Sequence, residues 1–307
     1  MNRDPMDRLQ LVFIVIVAVA AVAIALIAFH IVDSSYEHVN EVKQAHLEGT
    51  TDDISMDIVK SADDAKTILA KTGSDPDELR FSDQTITRAD LRVFVDQPRY
   101  TKMKMLRCDF DAKDFDVLRD SKVTTVSLSD EPVDKALIDR LVAMPKLSTL
   151  EMFRCDVQKS ALGNLGVSKI HFVKMRKCGE TVDRIFTRAI VRDLARMPAL
   201  VHAEISKNKF EEHALSAISG AQCLVLNVAK SNASDEDLKT IKSLPRLQYL
   251  DLEDCAQVTC SGLKSLESCS TLQHVRTNVP LSSCNFSPES AKKFQLSLYH
   301  VPSEYRF

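Results

Sequence analysis

Leu247-Gln248-Tyr249-Leu250-Asp251-Leu252-Glu253-Asp254-Cys255 is the stretch that decides how the rest of the chain is read. Leu250 and Leu252 alternate with polar neighbours, the period of a strand with one buried face. Leu247, Cys255, Val258 and Leu263 then fall at spacings too regular for a loop. The same short apolar triplet recurs through most of the chain, with third members Phe81, Met105, Leu128, Met152, Phe172, Ile205, Val228, Leu252 and Thr277. The intervals are 24, 23, 24, 20, 33, 23, 24 and 25 residues. A fixed period in this range predicts a solenoid, in which each unit buries its apolar face against the next.

The register continues beyond the strand. Five residues on, another apolar side chain stands at Ile86, Phe110, Val133, Val157 and Phe210. About ten residues on there is one more, at Leu91, Phe115, Ile138, Leu162, Leu215 and Leu238. Helices are expected over Asp134 to Met144 and Asp235 to Leu244. Pro145, Pro198 and Pro245 each stand two residues before the first leucine-type position of the next copy, ending one helix and biasing the chain toward extension.

The pattern resembles the leucine-rich repeat, L-x-x-L-x-L-x-x-N/C, from Leu79 to about Cys284. It looks most like the cysteine-containing, ribonuclease-inhibitor-like subclass. Cys108, Cys155, Asn208 and Cys255 close their copies as that motif asks, whereas Gln84, Glu131, Met175, Ser231 and Pro280 stand there in the others. The resemblance implies an α/β solenoid of about nine coils, with a parallel sheet on the concave face and helices on the convex face. It also implies a binding protein with a protein ligand.

Leu11 to Phe29 is an unbroken run of 19 apolar residues, which as a helix matches the hydrocarbon thickness of a bilayer. The run is too long for the apolar region of a cleaved signal peptide. A single-pass anchor over residues 9–32 is expected, after a short tail over 1–8. Arg3 and Arg8 precede the run and the first basic residue after it is Lys43, so the N-terminus is expected in the cytoplasm and the repeats outside. Residues 33–78 carry twelve acidic side chains against four lysines and read as a helical stalk and N-terminal cap. The repeats would fill 79–285 and a C-terminal cap 286–307, with Ser287 as a helix N-cap. The near-neutral balance of 40 basic and 43 acidic residues argues against a nucleic-acid partner.

Eight cysteines invite a disulfide framework. In this register, however, Cys108, Cys155 and Cys255 turn inward in alternate coils, roughly 10 Å apart and beyond the reach of a bridge. They are expected to be reduced and buried. Cys260 or Cys269 could pair with a neighbour. The sequence contains no C-x-x-C, so no metal site is expected, and no cofactor is called for.

Strand alternation assigns a concave column to Arg80, Lys104, Ser127, Glu151, His171, Glu204, Asn227, Asp251 and Arg276. His202 and Tyr249 stand in the column before it and Phe153 in the one after. Phe153 and Tyr249 are the expected aromatic anchors. The fifth copy is irregular, and its Lys174, Arg176 and Lys177 read as a basic insertion leading to a helix with Arg184, Arg188, Arg192 and Arg196. Binding is therefore expected at the concave sheet or at this insertion. The alternative is a structural envelope or lumenal scaffold without a discrete ligand. Catalysis is not expected: the sequence has no nucleophile elbow, glycine-rich phosphate loop or H-E-x-x-H, and His202, Glu204 and Ser206 are strung along one strand.

Overall fold

The computed structural model describes residues 77–180, 183–287 and 290. The expected tail, membrane helix and nearly all of the stalk lie outside these residues, as does most of the C-terminal cap. Among the described residues no helix is long and apolar enough to cross a membrane.

Nine parallel strands form one sheet in chain order: β1 (Glu78–Ser82), β2 (Lys102–Leu106), β3 (Thr125–Ser129), β4 (Thr149–Phe153), β5 (Phe172–Arg176), β6 (His202–Glu204), β7 (Val225–Asn227), β8 (Tyr249–Asp251) and β9 (His274–Arg276). Each strand opens a coil and returns through an α-helix or a 3-10 helix. The architecture is a solenoid, as the 24-residue period predicts, with the parallel sheet and return helices that the leucine-rich-repeat resemblance implies. In each strand the alternate residues pointing inward are buried, for example Leu150 and Met152 in β4 and Val173 and Met175 in β5. A single apolar core runs through the coils from Leu79 to Cys284. Burying one Leu- or Phe-sized side chain contributes about 1.5–3 kcal/mol, so the stacked strand positions are the main source of cohesion between coils.

The helices begin where local chemistry allows. The side chains of Thr87, Asp134, Thr187 and Thr259 each accept a backbone N–H of the first helical turn. Predicted and observed helices agree closely: Lys135–Val142 and Asp235–Ile241 lie within the expected spans. Ser287 Oγ accepts the Ser290 N–H at 3.1 Å, as an N-cap does.

Further short parallel pairings tie neighbouring coils beside the main sheet, among them an Asp156–Gly179 bridge between coils 4 and 5. Short parallel pairings link Thr85–Ile86 with Asp109–Phe110, Pro132–Val133 with Asp156–Val157, and Ile185–Phe186 with Lys209–Phe210. A single bridge between Ser234 and Gln257 does the same for coils 7 and 8. Coils 1 to 6 alternate between α-helical and 3-10 return segments.

The fifth coil corrects the expected register by three residues. Glu151 pairs with Lys174 and Met152 with Met175, so the strand triplet is Val173-Lys174-Met175 rather than Ile170-His171-Phe172. Ile170 is a core residue before the strand, equivalent to Leu147. His171 leaves the central column, and Lys174 takes its place. Lys174, Arg176 and Lys177 thus belong to β5 and its edge and not to an insertion. After β5, Glu180 and Ile185 form an antiparallel bridge. Gly179 is required there, because a Cβ would lie 2.3 Å from the Arg184 backbone.

The shift also moves Cys178 into the closing position. Buried Sγ atoms of Cys155, Cys178 and Cys255 donate to the strand carbonyls of the preceding coil, Leu128, Met152 and Val228, at 3.3–3.4 Å. Asn208 does more in the same position. Its Nδ2 donates to Met175 O and Ile205 O, while its Oδ1 accepts the Cys178 N–H, all within 2.9 Å. Glu131 copies only half of this. Its Oε1 accepts the Cys108 N–H at 2.8 Å, and Oε2 is buried without a hydrogen-bond partner. Burial accordingly raises the Glu131 pKa from 4.5 to about 7.

Cys178, unassigned from sequence, is therefore in the coil next to Cys155, and both are buried free thiols, as are Cys108 and Cys255. Cys260 and Cys284 form a disulfide, 24 residues and one coil apart, with Cα atoms 5.0 Å from each other. It ties coil 8 to coil 9 at the first turn of helix Cys260–Ser265.

Candidate functional site

Seven of the residues singled out in the sequence meet on the concave face of coils 4 to 6: Glu151, Phe153, Lys174, Arg176, Lys177, His202 and Glu204. The sheet register brings them together, with Glu151, Lys174 and Glu204 side by side on neighbouring strands. Lys174 Nζ lies 3.9 Å from Glu151 and 3.7 Å from Glu204, and Arg176 Nε lies 3.6 Å from Glu204. Ser127 donates to Glu151 at 2.8 Å and Ser206 to Glu204 at 3.2 Å, which fixes the two carboxylates at either end of the strip. These separations leave the ion pairs loose and partly solvated, so each contributes about 0–1 kcal/mol to stability. The same looseness leaves donors and acceptors able to exchange partners.

Phe153 lies at the strip's edge, half-buried, under three cations. The Arg154 guanidinium carbon is 4.4 Å from the ring centroid, that of Arg176 5.9 Å and Lys177 Nζ 6.0 Å. Cations over the ring face are attracted to its quadrupole. The ring in turn holds the guanidiniums in place. On the other edge the His202 ring leans on Phe172, centroids 5.6 Å apart. Desolvation lowers the His202 pKa, Lys174 lowers it further and Glu204 opposes both. The imidazole thus stays neutral at a pH where an ordinary histidine is already partly charged.

The other three sequence candidates are elsewhere. His171 is exposed just before β5. Tyr249 is only 4 % exposed, packed with Val225 and Leu224 on coils 7 and 8, and burial pushes its hydroxyl up to about 12. Asp251 is likewise buried, with Arg276 Nη1 3.2 Å from one oxygen and the Glu253 N–H on the other. Neither side chain is presented to a ligand as an exposed anchor.

One row of side chains was missed in the sequence. Two residues after the strand triplets of coils 1 to 8, the backbone turns into the left-handed region at Asp83, Arg107, Asp130, Arg154, Lys177, Lys207, Lys230 and Asp254, with φ between 50° and 58°. Backbone hydrogen bonds such as Arg107 N to Ser129 O, Arg154 N to Arg176 O and Lys207 N to Ala229 O hold this row in line. Every member is charged. In sequence the row is a charged column without an apolar period, and the three-residue slip in coil 5 put Lys174 in the place of Lys177.

Comparison with known proteins adds a fold likeness only. No protein-family model matches the sequence, and no curated protein does. Among solved structures the chain is similar to TLR13 in its complex with ssRNA13 (14% identity, TM-score 0.42, 65% of this chain and 31% of that one). It is also similar to Toll in the Drosophila Toll–Spatzle complex (15%, 0.44, 76% and 37%) and to an internalin from Listeria monocytogenes (12%, 0.30, 78% and 95%). The chain spans about a third of the length of the first two. The fold assignment rests on its own register and ladder.

Proposed function

We propose that this chain is a membrane-anchored leucine-rich-repeat protein that captures a protein partner on the concave strip of coils 4 to 6. The observation that carries the reading is the gathering of Glu151, Phe153, Lys174, Arg176 and Glu204 into one partly solvated strip whose charges are loosely paired. A strip of alternating charge around an aromatic ring suits protein recognition, where the ring supplies contact area and the charges set register. The anchor is residues 9–32, with the N-terminus cytoplasmic and the repeats periplasmic, lumenal or extracellular. Support comes from the 19-residue apolar run and from the Arg3/Arg8 bias. The Cys260–Cys284 bridge is a third support, since such bonds persist in oxidising compartments.

The test is proximity labelling from the full-length protein in its native membrane. Combining Phe153→Ala with Lys174→Ala is expected to remove the enriched partner by about tenfold, the equivalent of 1.4 kcal/mol, at unchanged membrane abundance. Lys239→Glu, on the convex helix Asp235–Ile241, is expected to leave it in place. An identical set of labelled proteins from both variants contradicts the reading.

A further inference from the structure

The charged row at the strand ends is built as pairs of opposite sign, and one pair breaks the rule. In coils 1 and 2, Arg107 forms a two-pronged ion pair with Asp83, at 2.6 and 2.9 Å. In coils 3 and 4, Arg154 does the same with Asp130, with Nε at 2.7 Å. In coils 7 and 8, Lys230 lies 3.7 Å from Asp254. In coils 5 and 6 the corresponding residues are Lys177 and Lys207. Both are exposed, and among the described residues neither makes an ion pair. Arg154 and Arg176 flank them over the Phe153 ring. Adjacent strands are about 4.8 Å apart, so two ammonium groups on neighbouring strands repel each other unless an anion lies between them. The Lys207 pKa is lowered, first by desolvation and then by Arg176, Lys230 and, least of the three, Lys177.

We propose that Lys177 and Lys207, flanked by Arg154 and Arg176, form a receptor site for a carboxylate carried by an acidic protein segment. The incoming Asp or Glu supplies the acid that the row lacks at this one pair. Two features favour a protein segment over a uniformly anionic polymer or membrane surface. Glu151 and Glu204 stand among the cations and repel a dense polyanion. The Phe153 ring beside them offers apolar contact that a polyanion has no use for. The proposal rests on the partner-capture reading above and names the chemistry of that partner.

The experiment uses the full chain in detergent and a soluble twelve-residue peptide rich in Asp and Glu with one aromatic residue. Lys177→Asp places an acid opposite Lys207, restoring the sign pattern of the other pairs, so thermal stability is expected to be unchanged or raised. Peptide affinity is expected to fall by about tenfold and to lose part of its salt dependence. Lys239→Asp, a reversal of equal size on the convex side, is expected to change affinity less than twofold. Equal affinity for all three proteins overturns the proposal. So does binding of a sulfated polysaccharide or anionic vesicles in preference to the peptide, or salt-sensitive self-association that the peptide does not displace. If Lys177→Asp leaves the labelled partner in place while the Phe153→Ala and Lys174→Ala pair removes it, the carboxylate site falls and the concave strip stands.

Discussion

Glu131→Gln is expected to stabilise the protein by about 3 kcal/mol at pH 8 and to leave it unchanged near pH 4. The wild-type carboxyl has a folded pKa of about 7 against 4.5 when unfolded. Between these values the folded state holds a proton that the unfolded state has released, so stability falls as pH rises through this window. At about 1.36 kcal/mol per unit, the difference of roughly 2.5 units gives the expected loss. The structural cause is the buried Oε2, which has no donor when the group is charged. A glutamine keeps the acceptor for the Cys108 N–H and adds the donor that Asn208 uses in coil 6. The exposed Asp83 and the Asp130 carboxyl, both held low chiefly by arginine hydrogen bonds, act in the opposite sense and only below the ordinary carboxylate range. Urea unfolding from pH 4 to 8 separates the two. A wild-type midpoint that stays flat or rises between pH 5 and 7, with no gain from the substitution, contradicts the account.

Asn208→Ala is expected to cost about 3–5 kcal/mol. The substitution strips partners from three buried backbone groups at once: the Cys178 N–H and the carbonyls of Met175 and Ile205. Each buried group left unsatisfied costs about 1–3 kcal/mol, with partial relief where the backbone can relax. The damage falls between coils 5 and 6. Because cohesion in a solenoid is a sum over neighbouring interfaces, unfolding of this variant is expected to broaden and lose cooperativity. Asn208→Asp, which keeps the acceptor and loses the donor, should fall between wild type and alanine. A loss below 1 kcal/mol in the alanine variant, measured by urea denaturation, contradicts the role assigned to the ladder.

The period, the helix spans and the inward cysteines were legible because burial leaves an apolar signature that repeats. Coil 5 was misread for the same reason. Ile170-x-Phe172 and Val173-x-Met175 both satisfy apolar alternation, and only strand pairing chooses between them. The first-leucine position resolves it in retrospect, since Leu147 and Ile170 are 23 residues apart. The site was half legible. Alternation locates Glu151, Phe153 and Glu204 on the concave side. It says nothing of lateral cover, which is why Tyr249, packed on Val225, reads as an anchor and is buried. The charged edge row depends on a left-handed backbone that non-glycine residues seldom enter, and no apolar period marks such a position. The Cys260–Cys284 bridge joins residues one period apart, but the ninth copy, closing on Pro280, was too degenerate to fix its register from sequence.

The account centres on the concave strip of coils 4 to 6 as the surface that meets a protein partner. A photo-crosslinking residue placed at Lys174 in the full-length protein, illuminated in native membranes, tests this most directly when compared with the same residue at Lys239 on the convex helix. The account predicts a discrete adduct from position 174 and none from 239. An adduct from 239 alone, or the same adducts from both positions, contradicts it.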